Sequence, residues 1–280
     1  DLELFEEIGQ GSFGTVYRAK WLKNENIVAV KQLHTTHLSK KAEQIFFNES
    51  SLLNRVRDPN IVTLYGVCLE KERYALIIEY MPLGSLYDLL YEKKIELSWS
   101  HRNSIALQST KGINYLHQYQ PQILHRDIKS LNILLEKQYD GYLVKVCDFG
   151  MAKIRNETTR QATTTGNIDI NYTLSWAAPE VLRLRTYTDK SDIYSLGMVY
   201  WELASHLIPY YGYDHGVIRE FVLASDRLDI PAKTPSNFQI AIKSCWAQEP
   251  ENRPTCLDLF NMFNQIIISG ILNKQSRNKK

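Results

Sequence analysis

No stretch of this 280-residue chain is apolar enough to cross a bilayer. The longest aliphatic run near its end is Ile266-Ile267-Ile268, far short of the roughly 20 residues a membrane helix needs. Neither a secretory leader nor an initiating Met opens the sequence, so it reads as a domain cut from a longer protein. Charge of either sign does not dominate. With 33 Lys and Arg against 31 Asp and Glu, the net charge of +2 offers no bulk attraction to nucleic acid or to an anionic membrane. Cysteine is scarce, and Cys68, Cys147, Cys245 and Cys256 stand without metal-ligand spacing. That pattern argues for reduced, mostly buried thiols in a cytoplasmic compartment and against a disulfide framework. Internal repeats and low-complexity segments are missing as well.

What is present is ordinary globular material, 44% apolar, in a length that suits one large domain or two lobes with separate cores. The first third reads as strands: Leu4-Phe5 into Ile8, Val16-Tyr17, and Ile27-Val28-Ala29-Val30, with Asn24-Glu25-Asn26 as turn chemistry between the last two. Ala42, Phe46, Leu53 and Val56 then fall on one helical face. Strands over Ile61–Val67 and Tyr74–Glu79 follow, and Met81-Pro82-Leu83-Gly84 breaks the pattern as an interlobe connection. Beyond it the reading turns helical. Leu86–Tyr91 is short, Ile105, Ser109, Ile113 and Leu116 share a face, and Ser191–Leu207 is apolar nearly all round, with Asp192 placed to cap it. The expected fold class is α+β: a small β lobe over 1–80, a helical lobe over 81–270, and a basic tail over 271–280.

The chemistry-bearing residues cluster in four places. Gly9-Gln10-Gly11-Ser12-Phe13-Gly14-Thr15-Val16 suits close backbone approach to phosphate. The same spacing marks dinucleotide-binding folds, but there the third glycine opens a helix, whereas strand-like Val16-Tyr17-Arg18-Ala19 follows here. Lys31 ends a buried strand, and Glu49 lies on the apolar face with Phe46 and Leu53, where a carboxylate needs a cation. Lys31 is the obvious one. His125-Arg126-Asp127-Ile128-Lys129-Ser130-Leu131-Asn132 precedes Asp148-Phe149-Gly150 by sixteen residues. Asp127 can accept a proton from a hydroxyl, and Asn132 and Asp148 are hard oxygen donors suited to Mg²⁺. Finally, a threonine-rich stretch separates Gly150 from Ala178-Pro179-Glu180.

These motifs, in this order from about Phe5 to Phe263, resemble the protein kinase domain. Lys129 and Thr173 look like Ser/Thr kinases, while Trp21 and Trp176-Ala177-Ala178-Pro179-Glu180 have a tyrosine-kinase flavour. That mixture resembles the tyrosine kinase-like group, such as the Raf, mixed-lineage and receptor-interacting kinases. The resemblance implies transfer of the γ-phosphoryl of ATP, with Mg²⁺, to serine or threonine hydroxyls of protein substrates, in a domain that dimerises in some relatives. The alternatives are dual or tyrosine specificity, or a pseudokinase scaffold.

By that resemblance Asp127 is the base, Lys129 contacts the transferred group, Lys31 holds the α- and β-phosphates and Glu49 orients Lys31. Asn132 and Asp148 hold Mg²⁺. Residues Ile8 to Val16 cover the nucleotide, Val16, Ala29 and Leu134 sandwich its base, and Glu79 and Met81 offer hinge backbone groups beside Ile78, which controls the rear pocket. Arg126 would receive a phosphate on the activation segment, where Thr163, Thr164, Thr165 and Tyr172 are candidates and Asp169 a mimic. His125 packs below Phe149, and Glu180 and Arg253 form a buried ion pair. Lys137–Tyr142 reads as an insertion that lengthens a turn.

Overall fold

The computed structural model describes residues 1–11, 14–34, 53–70, 73–149 and 174–264, with Gln44, Phe46, Phe47, Ser50 and Ser51 between them. Five strands form one antiparallel sheet: β1 (Leu2–Gly11), β2 (Gly14–Trp21), β3 (Asn26–Leu33), β4 (Leu64–Glu70) and β5 (Arg73–Glu79), in the order β1-β2-β3-β5-β4. The turn after β2 uses Glu25 at φ 60, and the Asn26 amide donates to Asn24 Oδ1 at 3.2 Å, local bonding that asparagine favours. Side chains alternate faces along β3. Val28 and Val30 pack with Ala19, Ala75 and Ile77 on one side. Ala29 and Lys31 therefore share the other side, and Lys31 meets Asp148 of the helical lobe.

Helical residues Phe46 and Leu53 are both buried, as the apolar face predicts. Val56 is buried too, but it follows a turn at 54–55 and lies outside that helix. The fourth strand begins at Leu64, three residues later than the apolar pattern suggests. Ile61 instead bridges to Val146, and the Val62 amide donates to the Val146 carbonyl at 2.9 Å, so these residues belong to the other lobe's hairpin. Residues 81–84 make the expected connection, with Gly84 at φ 76 and its amide on the Met81 carbonyl. A side chain at Gly84 would meet Asp88 Oδ2 at 2.7 Å, and that carboxylate is engaged with the Ser85 amide and hydroxyl.

The large lobe contains α1 (Trp99–Gln118), the hairpin β6 (Ile133–Gln138) and β7 (Gly141–Val146), α2 (Pro179–Leu182), α3 (Asp189–Ser205), α4 (His215–Leu223), α5 (Ser236–Cys245) and α6 (256–264). Lys137 pairs with Tyr142 and Gln138 with Gly141, so the expected insertion is mostly strand, closed by the two-residue turn Tyr139-Asp140. No helix among the described residues is long and apolar enough to cross a membrane.

Helix α3 is the axis of this lobe, with every residue from Ser191 to Ala204 buried. Its start differs from the expectation: the Thr188 amide donates to Ser191 Oγ at 3.2 Å, and Asp192 does other work. Tyr200 bonds Thr110 of α1 at 2.7 Å and sets its ring edge-on to Phe238 and Phe263. Gly197 lets α5 approach, since a Cβ there would lie 2.5 Å from Cys245 Cβ. Gly197→Ala should therefore lower the unfolding free energy by about 2 kcal/mol through overpacking. An unchanged melting temperature would show that α5 can shift freely.

Candidate active site

The loop from His125 to Asn132 is shaped from below by Asp192 of α3. Its carboxylate accepts the backbone amides of His125 at 2.9 Å and Arg126 at 3.0 Å, the Tyr187 hydroxyl at 2.5 Å, and a contact from His117 Nε2 at 2.9 Å. Burial alone would push this carboxyl up. The hydrogen bond and charge of His117, with those of its other partners, outweigh burial and hold it below the usual range. The reward is geometric: Arg126 sits at φ 68, a left-handed conformation that costs a non-glycine residue about 1 to 3 kcal/mol. Asp148 is held at φ 62 on the facing loop.

His125 is fully buried, with Nε2 on the Cys147 carbonyl at 2.9 Å and Nδ1 facing the Asp127 amide at 3.3 Å. Its ring lies 6.4 Å from that of Phe149. Both nitrogens are engaged with backbone, which makes it a spacer between two loops. Asp127 is nearly buried, and its carboxylate receives Asn132 Nδ2 at 2.9 Å and Lys129 Nζ at 3.2 Å. Asn132 Nδ2 also donates to the Asp127 carbonyl at 2.7 Å, which turns Asn132 Oδ1 away from Asp127. The Cys147 amide donates to the Asn132 carbonyl at 3.0 Å, tying this loop to the one that carries Asp148.

Lys31 Nζ donates to Asp148 Oδ2 across the lobes. Glu49, expected as its partner, lies outside the described residues, as do Ser12, Phe13, the activation-segment candidates Thr163, Thr164, Thr165, Asp169 and Tyr172, and Thr173. Gly9 pairs with Val16, Gln10 with Thr15 and Gly11 with Gly14, while Ile8 is exposed on the same strand. Gly14 has a second reason to be glycine. A Cβ there would lie 2.1 Å from the Gln32 carbonyl of β3.

Val62, Met81 and Cys147 form an apolar cluster with Ile78 and Leu134, and Ala29 pairs in register with Ile78. Ile78 also borders a small apolar pocket closed by Leu53, Leu76 and Phe149. The Glu79 amide is taken by the Thr63 carbonyl at 2.9 Å, and its side chain accepts Lys145 Nζ at 3.0 Å. Arg253 grips Glu180 with two nitrogens, each at 2.8 Å, fixing α2 to the end of the chain's helical core.

Four residues with a hand in this architecture escaped the sequence reading: Val62, Lys145, Asp192 as an anchor, and Glu202. Only Glu202 carried a signal, an acidic residue inside an otherwise apolar helix. Its carboxylate accepts Ser130 Oγ at 2.5 Å and Trp176 Nε1 at 2.7 Å, and lies 3.0 Å from the Tyr91 hydroxyl. Burial pushes it up to about 7 against the pull of those donors.

The donor set fits Mg²⁺. One carboxylate, Asp148, and one amide oxygen, Asn132 Oδ1, match a cation that takes few protein ligands and keeps phosphate oxygens and water. A triphosphate would bring the remaining oxygens, and Lys31 stands beside Asp148 to meet its charge.

Residues 2–263 match the family described as protein tyrosine and serine/threonine kinase. A probable serine/threonine-protein kinase of Dictyostelium discoideum is 35% identical over 268 residues, covering 95% of this chain and 28% of that protein. The serine/threonine-protein kinase CTR1 of Arabidopsis thaliana is 36% identical over 274 residues, 97% of this chain and 32% of its own. Another Dictyostelium discoideum relative, the probable serine/threonine-protein kinase drkD, is 34% identical over the whole chain and 20% of its own length. The chain thus spans about a fifth to a third of these relatives.

The buried Glu202 yields a stability prediction. Folding raises its carboxyl from the ordinary 4.5 to about 7, so its contribution is complete below pH 4.5 and is lost as pH rises through 7. Glu202→Gln should gain on the wild type from about pH 5 to about pH 8, by up to about 3 kcal/mol. Parallel melting curves for the two proteins across that range would contradict a carboxylate buried without a cation.

Proposed function

Since the chain belongs to the protein tyrosine and serine/threonine kinase family, we propose that it transfers the γ-phosphoryl of magnesium-bound ATP to serine and threonine hydroxyls of protein substrates. One observation carries the reading: an unbroken chain of contacts joins Lys31 to Asp148, Cys147 to Asn132, Asn132 to Asp127, and Asp127 to Lys129. Five side chains from two lobes are thereby gathered with the charges phosphoryl transfer requires. The relatives named for serine/threonine activity support the acceptor class. So does Lys129, two residues after Asp127.

Each residue has a definable task. The Asp127 carboxylate, oriented by Asn132 Nδ2, accepts the proton of the incoming hydroxyl. Lys129 adds positive charge beside that carboxylate, where negative charge spreads over the transferred group. Lys31 holds the phosphates that precede the γ-group, and Glu49 orients it. Asn132 Oδ1 and Asp148 would hold Mg²⁺, which when bound would supply positive charge against the phosphates. Gly9 to Gly11 pair with Gly14 to Val16 as the strands of a hairpin that would lie over the phosphates. Val16, Ala29 and Leu134 enclose the base, with Glu79 and Met81 at its edge and Ile78 behind it. The four cysteines are free thiols, which suits a cytoplasmic setting.

Two substitutions test this. Asp148→Asn removes a metal ligand at nearly constant volume, so ³²P transfer from labelled ATP to a protein substrate should fall by at least about a thousandfold, with the melting temperature little changed. Transfer within about tenfold of the wild type would refute the assignment. Phosphoamino-acid analysis of the product should find phosphoserine and phosphothreonine; phosphotyrosine alone would overturn the acceptor class.

A further inference from the structure

Glu202 has no exposed surface and takes no part in the roles assigned above. Three segments meet on its carboxylate. Ser130, bonded through Oγ, opens the turn Ser130–Asn132 and directly follows Lys129. Trp176, bonded through Nε1, ends the turn Leu174–Trp176 just before α2. Tyr91, in the helical stretch after the interlobe connection, shares its hydroxyl between Glu202 Oε1 at 3.0 Å and the Leu207 carbonyl at 2.8 Å. None of these partners is a cation. Burying a carboxylate on dipoles alone costs more than burying an apolar side chain of equal size, so its presence here serves something other than packing.

The two oxygens divide the work. Oε1 faces the catalytic loop and Oε2 faces Trp176. If Trp176 leaves its seat, Oε2 is stranded in a dry interior, and the carboxylate must turn or draw in water, pulling on Ser130. Ser130 cannot move without disturbing Lys129, whose ammonium contacts Asp127, or Asn132, whose amide orients Asp127. We propose that Glu202 is a positioning residue for phosphoryl transfer, making the placement of Lys129 and Asn132 depend on whether the segment ending at Trp176 is seated. This inference rests on the kinase reading above.

The test uses the 280-residue chain with Ser130→Ala, Trp176→Phe, the double variant, Glu202→Ala and Glu202→Gln. Each of the first two breaks one link and keeps most of the side-chain bulk. Each should lower kcat about tenfold while the KM for MgATP stays within about twofold. Because both act through one carboxylate, the double variant should fall no more than about threefold below the weaker single. Glu202→Ala should match the double variant. Glu202→Gln should recover most of the loss, since its amide can accept from Trp176 and donate to Ser130.

Separately from activity, amide hydrogen exchange at residues 130–132 should quicken in Trp176→Phe, which would report the linkage even in a chain that transfers no phosphate. Losses that multiply in the double variant, kcat within about twofold of wild type in both singles, or unchanged exchange at 130–132 would each overturn the proposal. A wild-type chain without ATP-dependent transfer, but with the exchange linkage intact, would instead count against the kinase reading alone.

Discussion

The grip of one buried carboxylate on two backbone amides decides whether the rest of the site can exist. Asp192 holds the amides of His125 and Arg126, and through them a left-handed turn that no local sequence preference would select. That turn reverses the chain between His125, whose imidazole stacks two loops, and Asp127, whose carboxylate faces Asn132 and Lys129. Because Asp192 sits on a helix buried throughout its middle, the anchor cannot drift without unpacking α1 and α5. The precision of the loop is borrowed from the core.

The two lobes meet through charge as well as through apolar contact. Lys31 from β3 reaches Asp148, and Lys145 from β7 reaches Glu79 at the end of β5. The second pair is largely shielded from water and also draws on the Thr63 amide, so Glu79 is fixed from both sides of the connection. The first pair joins the cation proposed for phosphate to the carboxylate proposed for metal. Each of the two thereby balances part of the other's charge.

Much of this was legible in the order of residues, because strand alternation, turn chemistry and the spacing of Asp127, Asn132 and Asp148 are local facts. Ile105, Ser109, Ile113 and Leu116 are all buried on α1, as the helical period requires. What escaped was what depends on distant partners. Ile61 is apolar enough for a strand, yet it joins Val146, eighty-five residues away, which no local pattern can announce. Asp192 near a helix start looks like a cap, because the capping rule knows nothing of a loop sixty-odd residues upstream. Gly14 reads as a phosphate-loop glycine, and its further constraint, the close approach of β3, is invisible in the local sequence.

Three buried carboxylates in the helical lobe show how environment, rather than burial, sets charge. Glu180 faces the Arg253 guanidinium in a two-bond fork; burial would push it up, but Arg253 and Ser191 hold it below its ordinary value. Asp192 is likewise held low by His117 and its other donors. Glu202 is as deeply buried and accepts as many side-chain donors, yet it rises to about 7. The difference is that hydroxyls and an indole supply dipoles, and dipoles alone do not balance a full charge in a dry interior. The two ionised carboxylates hold backbone and helix in fixed positions. The third lies where the loop from His125 to Asn132 meets Trp176, and its hydrogen bonds come from neutral donors alone.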